Sequence, residues 1–166
     1  MSKAFTSEEA PEPELVLRAP PRLAPGEVRY VTPEGHAALR ARLAAAEHER
    51  AEAAALPEPA RAAAAEARAA LLQGTLAVLT VLGPEAAPEG TAAFGSWVTV
   101  EEEDGARRTW RIVGPDEADA KRGLVSAAAP LARALLGRRA GDAVQVARPG
   151  GALEVTVVEV RRSPPP

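Results

Sequence analysis

A chain of 166 residues with a net charge of −3 has room for one domain or two small ones, and it offers no basic field for nucleic acid. It holds no cysteine, which excludes disulfides, thiolate catalysis and Cys-ligated metal together. The hydrophobic fraction of 46% is supplied largely by alanine, and aromatics make up 3%, so any core must come from the Leu and Val clusters. No apolar run approaches the roughly 20 residues of a membrane span, and the first residues show no signal-peptide h-region. A cytoplasmic location without membrane contact is expected.

Residues 1–29 contain five prolines and the acids Glu8, Glu9, Glu12, Glu14 and Glu27, with Leu15, Val16 and Leu17 as the apolar cluster. Such a composition does not repay the entropy of ordering, and a disordered tail is expected. The functional alternative is a docking peptide centred on Leu15 to Leu17.

Thr32, Pro33 and Glu34 then form a helix start: a hydroxyl for the free amides, a proline where no donor is needed, and a carboxylate at the positive end of the dipole. Leu39, Leu43 and Ala46 mark an inward stripe, and the helix is expected to run to about Ala55. Leu56, Pro57, Glu58 and Pro59 force a turn and make the hairpin tip. A second, alanine-rich helix starts near Ala60 and places Leu72, Leu76 and Leu79 on one face. Two helices joined by so short a turn must be antiparallel, so residues 30–82 read as a helical hairpin. A Pro, Gly and Ala linker over 83–90 separates it from the remainder.

Beyond the linker, Trp97–Glu103 and Thr109–Val113 form a hairpin across Asp104 and Gly105. Ile112 and Val113 stop at Gly114 and Pro115, an acidic and basic loop follows, and Leu124, Val125 and Ser126 lead into a short helix begun by Pro130. Leu131, Leu135 and Leu136 share a face of that helix, Gly137 closes it, and so short a helix must lie on a sheet. Val144–Ala147 and Leu153–Val160 make a second strand pair across Pro149, Gly150 and Gly151. The segment 91–162 is therefore a small α+β domain, with 163–166 as a frayed tail.

The string Asp116, Glu117, Ala118, Asp119 invites a helicase reading, but the chain has only Lys3 and Lys121, neither in a phosphate-loop setting. A solvated turn is the expectation for it. His36 and His48 fall about 18 Å apart along one helix at 1.5 Å per residue, too far to share a metal. Glu47, His48, Glu49 and Glu52 enclose Arg50 and read as a charged helix surface. No Ser-His-Asp arrangement is suggested, because both histidines belong to the hairpin and every Asp lies beyond Gly90.

Three runs in the second half carry a family resemblance: Ile112 to Ser126 (IVGPDEADAKRGLVS), Pro130 to Gly137 (PLARALLG) and the Pro149-Gly150-Gly151 turn, in that order. The segment Phe94 to Val160 resembles the C-terminal domain of the GreA/GreB transcript cleavage factors of bacterial RNA polymerase, and the helical hairpin stands where those factors have their coiled coil. The resemblance implies an FKBP-like C-terminal domain, with bacterial RNA polymerase as partner at the rim of its secondary channel. It also implies docking through the loop ahead of the short helix, where the family has a polar pair, Asp or Asn followed by Ser, before the proline. Here those positions are Ala128 and Ala129, with Ser126, Pro130, Leu131 and Arg133 as the rest of the docking set.

The family's hairpin tip carries acids that help hold a second Mg²⁺ for RNA hydrolysis, chemistry that needs clustered hard oxygen ligands. This chain has no Asn and no Asp before Asp104, and its tip offers Glu52 and Glu58 around prolines. Its hairpin is also shorter than the family's by about eight or nine residues per arm, which removes on the order of 13 Å of reach. No catalytic residue, metal or cofactor is therefore expected. The expectation is a monomeric, non-enzymatic regulator that binds polymerase without stimulating cleavage and without sequence-specific nucleic-acid contact. The shortened hairpin is similar to that of the nucleoside diphosphate kinase regulator proteins, short-coil relatives of the same family. The alternative is an FKBP-like peptide or small-molecule binding module, against which stands the scarcity of aromatics beyond Phe94, Trp97 and Trp110. A diverged relative that no longer binds polymerase is the third possibility.

Overall fold

The computed structural model describes residues 20–55 and 58–165. Leu15 to Leu17, and Leu56 and Pro57 of the hairpin tip, lie outside the described residues. The described chain has two helices followed by a curled, mostly antiparallel sheet, an α+β arrangement. Its elements are β1 (Arg29–Val31), α1 (Pro33–Ala54), α2 (Pro59–Ala77), β2 (Leu79–Val81), β3 (Trp97–Glu102), β4 (Arg107–Val113), β5 (Leu124–Ser126), α3 (Pro130–Leu135), β6 (Ala143–Arg148) and β7 (Gly151–Arg161).

Helix α1 begins as its sequence dictates. Thr32 is extended, its Oγ1 accepts from Gly35 N at 3.0 Å, and Pro33 fills the first helical position. Leu39, Ala46 and Ala53 are buried at intervals of seven, and Ala65, Ala69 and Leu72 face them from α2. This is the spacing of a coiled-coil seam, with alanine at most of its positions. Leu43 and Leu76 pack at its margin.

Two features differ from the sequence reading. Leu79 is not on α2: it opens β2, which pairs in parallel with β1 through Arg29↔Leu79, Tyr30↔Thr80 and Val31↔Val81. Arg29, placed at the end of the tail, opens β1. The hairpin is thus the crossover between two parallel strands, which clasp its base.

The second sheet has the order β5-β4-β3-β7-β6, antiparallel except for β4 with β5. Gly105, at a φ of +80°, turns β3 into β4, and Arg148 pairs with Gly151 around the two-residue turn Pro149-Gly150. One face of this sheet buries Val98, Val100, Ile112, Val144, Val146, Val155 and Val157 against Ala132 and Leu135 of α3. A helix of six residues gains its order from that packing. Leu136 does not join it: the residue caps the C-terminus of α3 and is 39% exposed, because its own ψ of 128° leaves the helix and Gly137, at a φ of +81°, then turns the chain.

Candidate functional site

Ser126 ends β5 beside Val113, and Ala127 N donates to Val113 O at 2.8 Å, so the loop expected to dock leaves the sheet at its edge strand. Ala129 N donates to Ser126 O at 2.8 Å and Ala128 N to Ser126 Oγ at 3.3 Å, closing a turn around the retained serine. Ala129 caps α3 with no side-chain bond, which is what loss of a polar residue there entails. Ala128, Pro130 and Arg133 are exposed and Ala129 is half-buried. Leu131 packs against the sheet core beside Leu135, as their shared helical face requires, and offers part of its surface to solvent.

The loop between β4 and β5 is not the solvated turn expected of it. Arg29 Nε and Nη2 donate to the two oxygens of Asp116 at 2.6 and 2.8 Å, a bidentate pair with side chains 25% and 16% exposed. This contact holds the Arg29 guanidinium above its ordinary pKa, chiefly through the hydrogen bond to Asp116 and against the opposing effect of burial. Glu117 reaches the start of α1. Its Oε2 accepts from Thr32 N at 3.0 Å and from its own loop at Gly114 N, 3.1 Å, while its Oε1 accepts from Thr32 Oγ1. Asp119 stays local, accepting from Lys121 N.

Arg111 completes the junction. Its Nη2 donates to Glu34 Oε2 at 2.7 Å, its Nε to Gly95 O at 3.1 Å, and its guanidinium lies 5.5 Å from the centre of the Trp97 ring. Burial pushes the Glu34 carboxyl up, but its own backbone N–H and Arg111 outweigh that and leave it below the ordinary value. Between the hairpin base and the sheet lies a cleft of about 450 Å³ lined by residues including Arg42, Trp97, Arg111, Glu117 and Arg122.

Sequence reasoning missed this junction. Its members lie 77 to 87 residues apart, beyond any local pattern. The usable signal was the buried-type run Ile112-Val113-Gly114, which makes the following acids neighbours of a packed element.

Residues 87–162 match the family described as transcription elongation factor, GreA/GreB, C-term. The curated relatives include GreB of Pseudomonas aeruginosa, 38% identical over 165 residues, covering 89% of this chain and 97% of that protein. This chain belongs to the GreA/GreB family. GreA of Alkalilimnicola ehrlichii is 46% identical over 100 residues, 59% of this chain and 63% of that protein. The match thus spans under two thirds of one GreA and nearly the whole of one GreB. Among solved structures, the transcription factor Gfh1 is 26% identical, covering 81% of this chain and 98% of that one at a TM-score of 0.41. A GreA/GreB factor from Nitrosomonas europaea gives 26% identity at a TM-score of 0.40. Both scores are below 0.5, and the family assignment stands without them.

In this GreA/GreB-family chain the two acids nearest the distal end of the hairpin each have a basic neighbour. Glu52 and Glu58 are exposed, Glu52 lies 3.4 Å from His48, and Glu58 lies 3.9 Å from Arg61. Pro59 starts α2 and is exposed. Among the described residues no group of three or more His, Asp or Glu is placed to hold a metal ion.

Proposed function

We propose that this chain binds bacterial RNA polymerase at the rim of the secondary channel, as a monomer in the cytoplasm, and modulates elongation without stimulating transcript cleavage. The observation that carries the reading is the loop Ser126–Arg133, which presents Ala128, Pro130 and Arg133 to solvent on the family-matched segment. The contact is weaker than that of relatives with a polar pair before the proline. Each lost side-chain hydrogen bond is worth about 0.5 to 1.5 kcal/mol, so affinity is reduced roughly ten- to a hundredfold. Alanine at both positions leaves no unpaired polar side chain on this side of the contact. The non-enzymatic part of the reading is supported by the sequence, which has no Asn and no Asp before Asp104.

Two experiments test it. Ala128→Asp with Ala129→Ser should tighten binding to core polymerase and Pro130→Glu should weaken it, measured by pull-down in competition with a cleavage-competent Gre factor. If neither change alters affinity, the loop is not the docking surface. In backtracked elongation complexes, adding the protein should produce no Mg²⁺-dependent shortening of RNA above the polymerase's own rate. Stimulated cleavage overturns the non-catalytic part.

A further inference from the structure

We infer that Glu117 is a positioning residue, which fixes the direction of the helical hairpin relative to the domain that carries the docking loop. The inference rests on the reading that this loop holds polymerase, since only then does the hairpin's direction decide whether it enters the channel. Of the three side-chain links at the junction, Arg111 to Glu34 is the weakest tether, because the Glu34 side chain is 67% exposed and solvent competes for it. Arg29 to Asp116 is better shielded, but it anchors β1, ahead of the helix. Glu117 alone grips Thr32, the residue that caps α1, through both its amide and its hydroxyl.

The geometry leaves little slack. In the β1–β2 ladder Val31 O accepts from Leu82 N, so the Thr32 amide on the opposite edge of β1 has no strand beside it, and the Glu117 carboxylate stands in for one. Thr32 is fully buried and Gly114 is buried, so removing the carboxylate takes the acceptor from three donors, the Thr32 and Gly114 amides and the Thr32 hydroxyl. Backbone packing is as tight as the bonding. A Cβ on Gly114 would stand 2.2 Å from Tyr30 O, and one on Gly35 would stand 1.9 Å from Glu117 Oε1.

Direction matters because the hairpin is a lever. At 1.5 Å per residue α1 is about 33 Å long, so a swing of about 20° at Thr32 carries its far end roughly 11 Å. Releasing one carboxylate at the base would therefore let the tip swing, while the docking loop, which leaves the sheet at the same strand ends, keeps its own bond from Ala127 N to Val113 O.

The test uses the full chain, whose lack of cysteine allows paired spin labels at Glu58→Cys and Arg139→Cys, both exposed. The parent should give one narrow inter-label distance, Glu117→Ala a broadened distribution, and Glu117→Gln a narrow one again, because a glutamine oxygen can accept from Thr32 N and Gly114 N together. Gly114→Ala should broaden it as Glu117→Ala does. On core polymerase, Glu117→Ala should bind within about threefold of the parent, under half a tenfold step in free energy, yet lose competition with a Gre factor for the channel. A narrow, unshifted distribution in Glu117→Ala, or failure of Glu117→Gln to restore one, overturns the inference. If the parent itself fails to bind polymerase, the functional reading falls while the distances still judge Glu117.

Discussion

Among the described residues the hairpin buries Ala46, Ala53, Ala65 and Ala69 with Leu39, Leu72 and Thr75, whereas the sheet domain buries seven valines with Ile112 and Leu135. Alanine gives a helix its best intrinsic propensity and lets two helices approach closely, but it removes little apolar area from water. Valine does the reverse in strands, where a branched side chain packs well on a pleated surface. The difference shows that the two halves owe their order to different sources: the sheet domain to its own core, and the hairpin to backbone propensity plus the clasp that ties its base to the domain.

The change expected to have the largest effect on that contrast is Ile112→Ala. Ile112 is fully buried in the sheet core, and truncation there costs about 2 to 5 kcal/mol, read as a lower midpoint in urea unfolding. If the loss were below 0.5 kcal/mol, the valine core would not be the main store of stability. Ala46→Leu probes the other half. Ala46 is 2% exposed in a seam of mostly alanine, so overpacking it should cost about 1 to 3 kcal/mol and lower helical content by circular dichroism. Stabilisation instead would mean that the seam is loose.

The smallest expected effect concerns pH. The Glu34 carboxyl is held below the usual 4.5, so its contribution to holding the hairpin base is fully present above that value and is lost as the pH falls through the lower, folded-state value. Glu34→Gln should lower the thermal midpoint at about pH 8 by the small amount that an exposed ion pair contributes and flatten the acid limb, so that variant and parent converge as the pH falls below the usual carboxyl value. An unaltered acid limb would remove Glu34 from the clasp.

Much of the fold was legible because its signals are local. Thr32-Pro33-Glu34 announces a capped helix, the seven-residue spacing of Leu39 and Ala46 gives its inward face, and Asp104-Gly105 and Pro149-Gly150 announce the strand turns. The loop read as a docking surface rests on its retained Ser126 and Pro130, and the partial burial of Leu131 depends on the sheet beneath it. What escaped was non-local. β1 and β2 have three residues each, too few for a period-two pattern, and Leu79-Thr80-Val81 continued an apolar helix so smoothly that Leu79 read as its last turn. Asp116 and Glu117 look like solvated acids until the fold brings Arg29 and Thr32 to them.

Trp97 gives this architecture an optical consequence. Of the two tryptophans, Trp110 packs against the sheet core, while Trp97 lines the cleft under Arg111 with a buried indole N–H that has no hydrogen-bond partner among the described residues. The guanidinium above it is held in turn by a carboxylate of α1. A cation over the ring and the access of water to the indole nitrogen both govern emission, so a lifting of the hairpin changes Trp97 fluorescence while Trp110 stays constant. With Trp110 replaced by phenylalanine, the chain becomes its own label-free reporter of whether its two halves are joined.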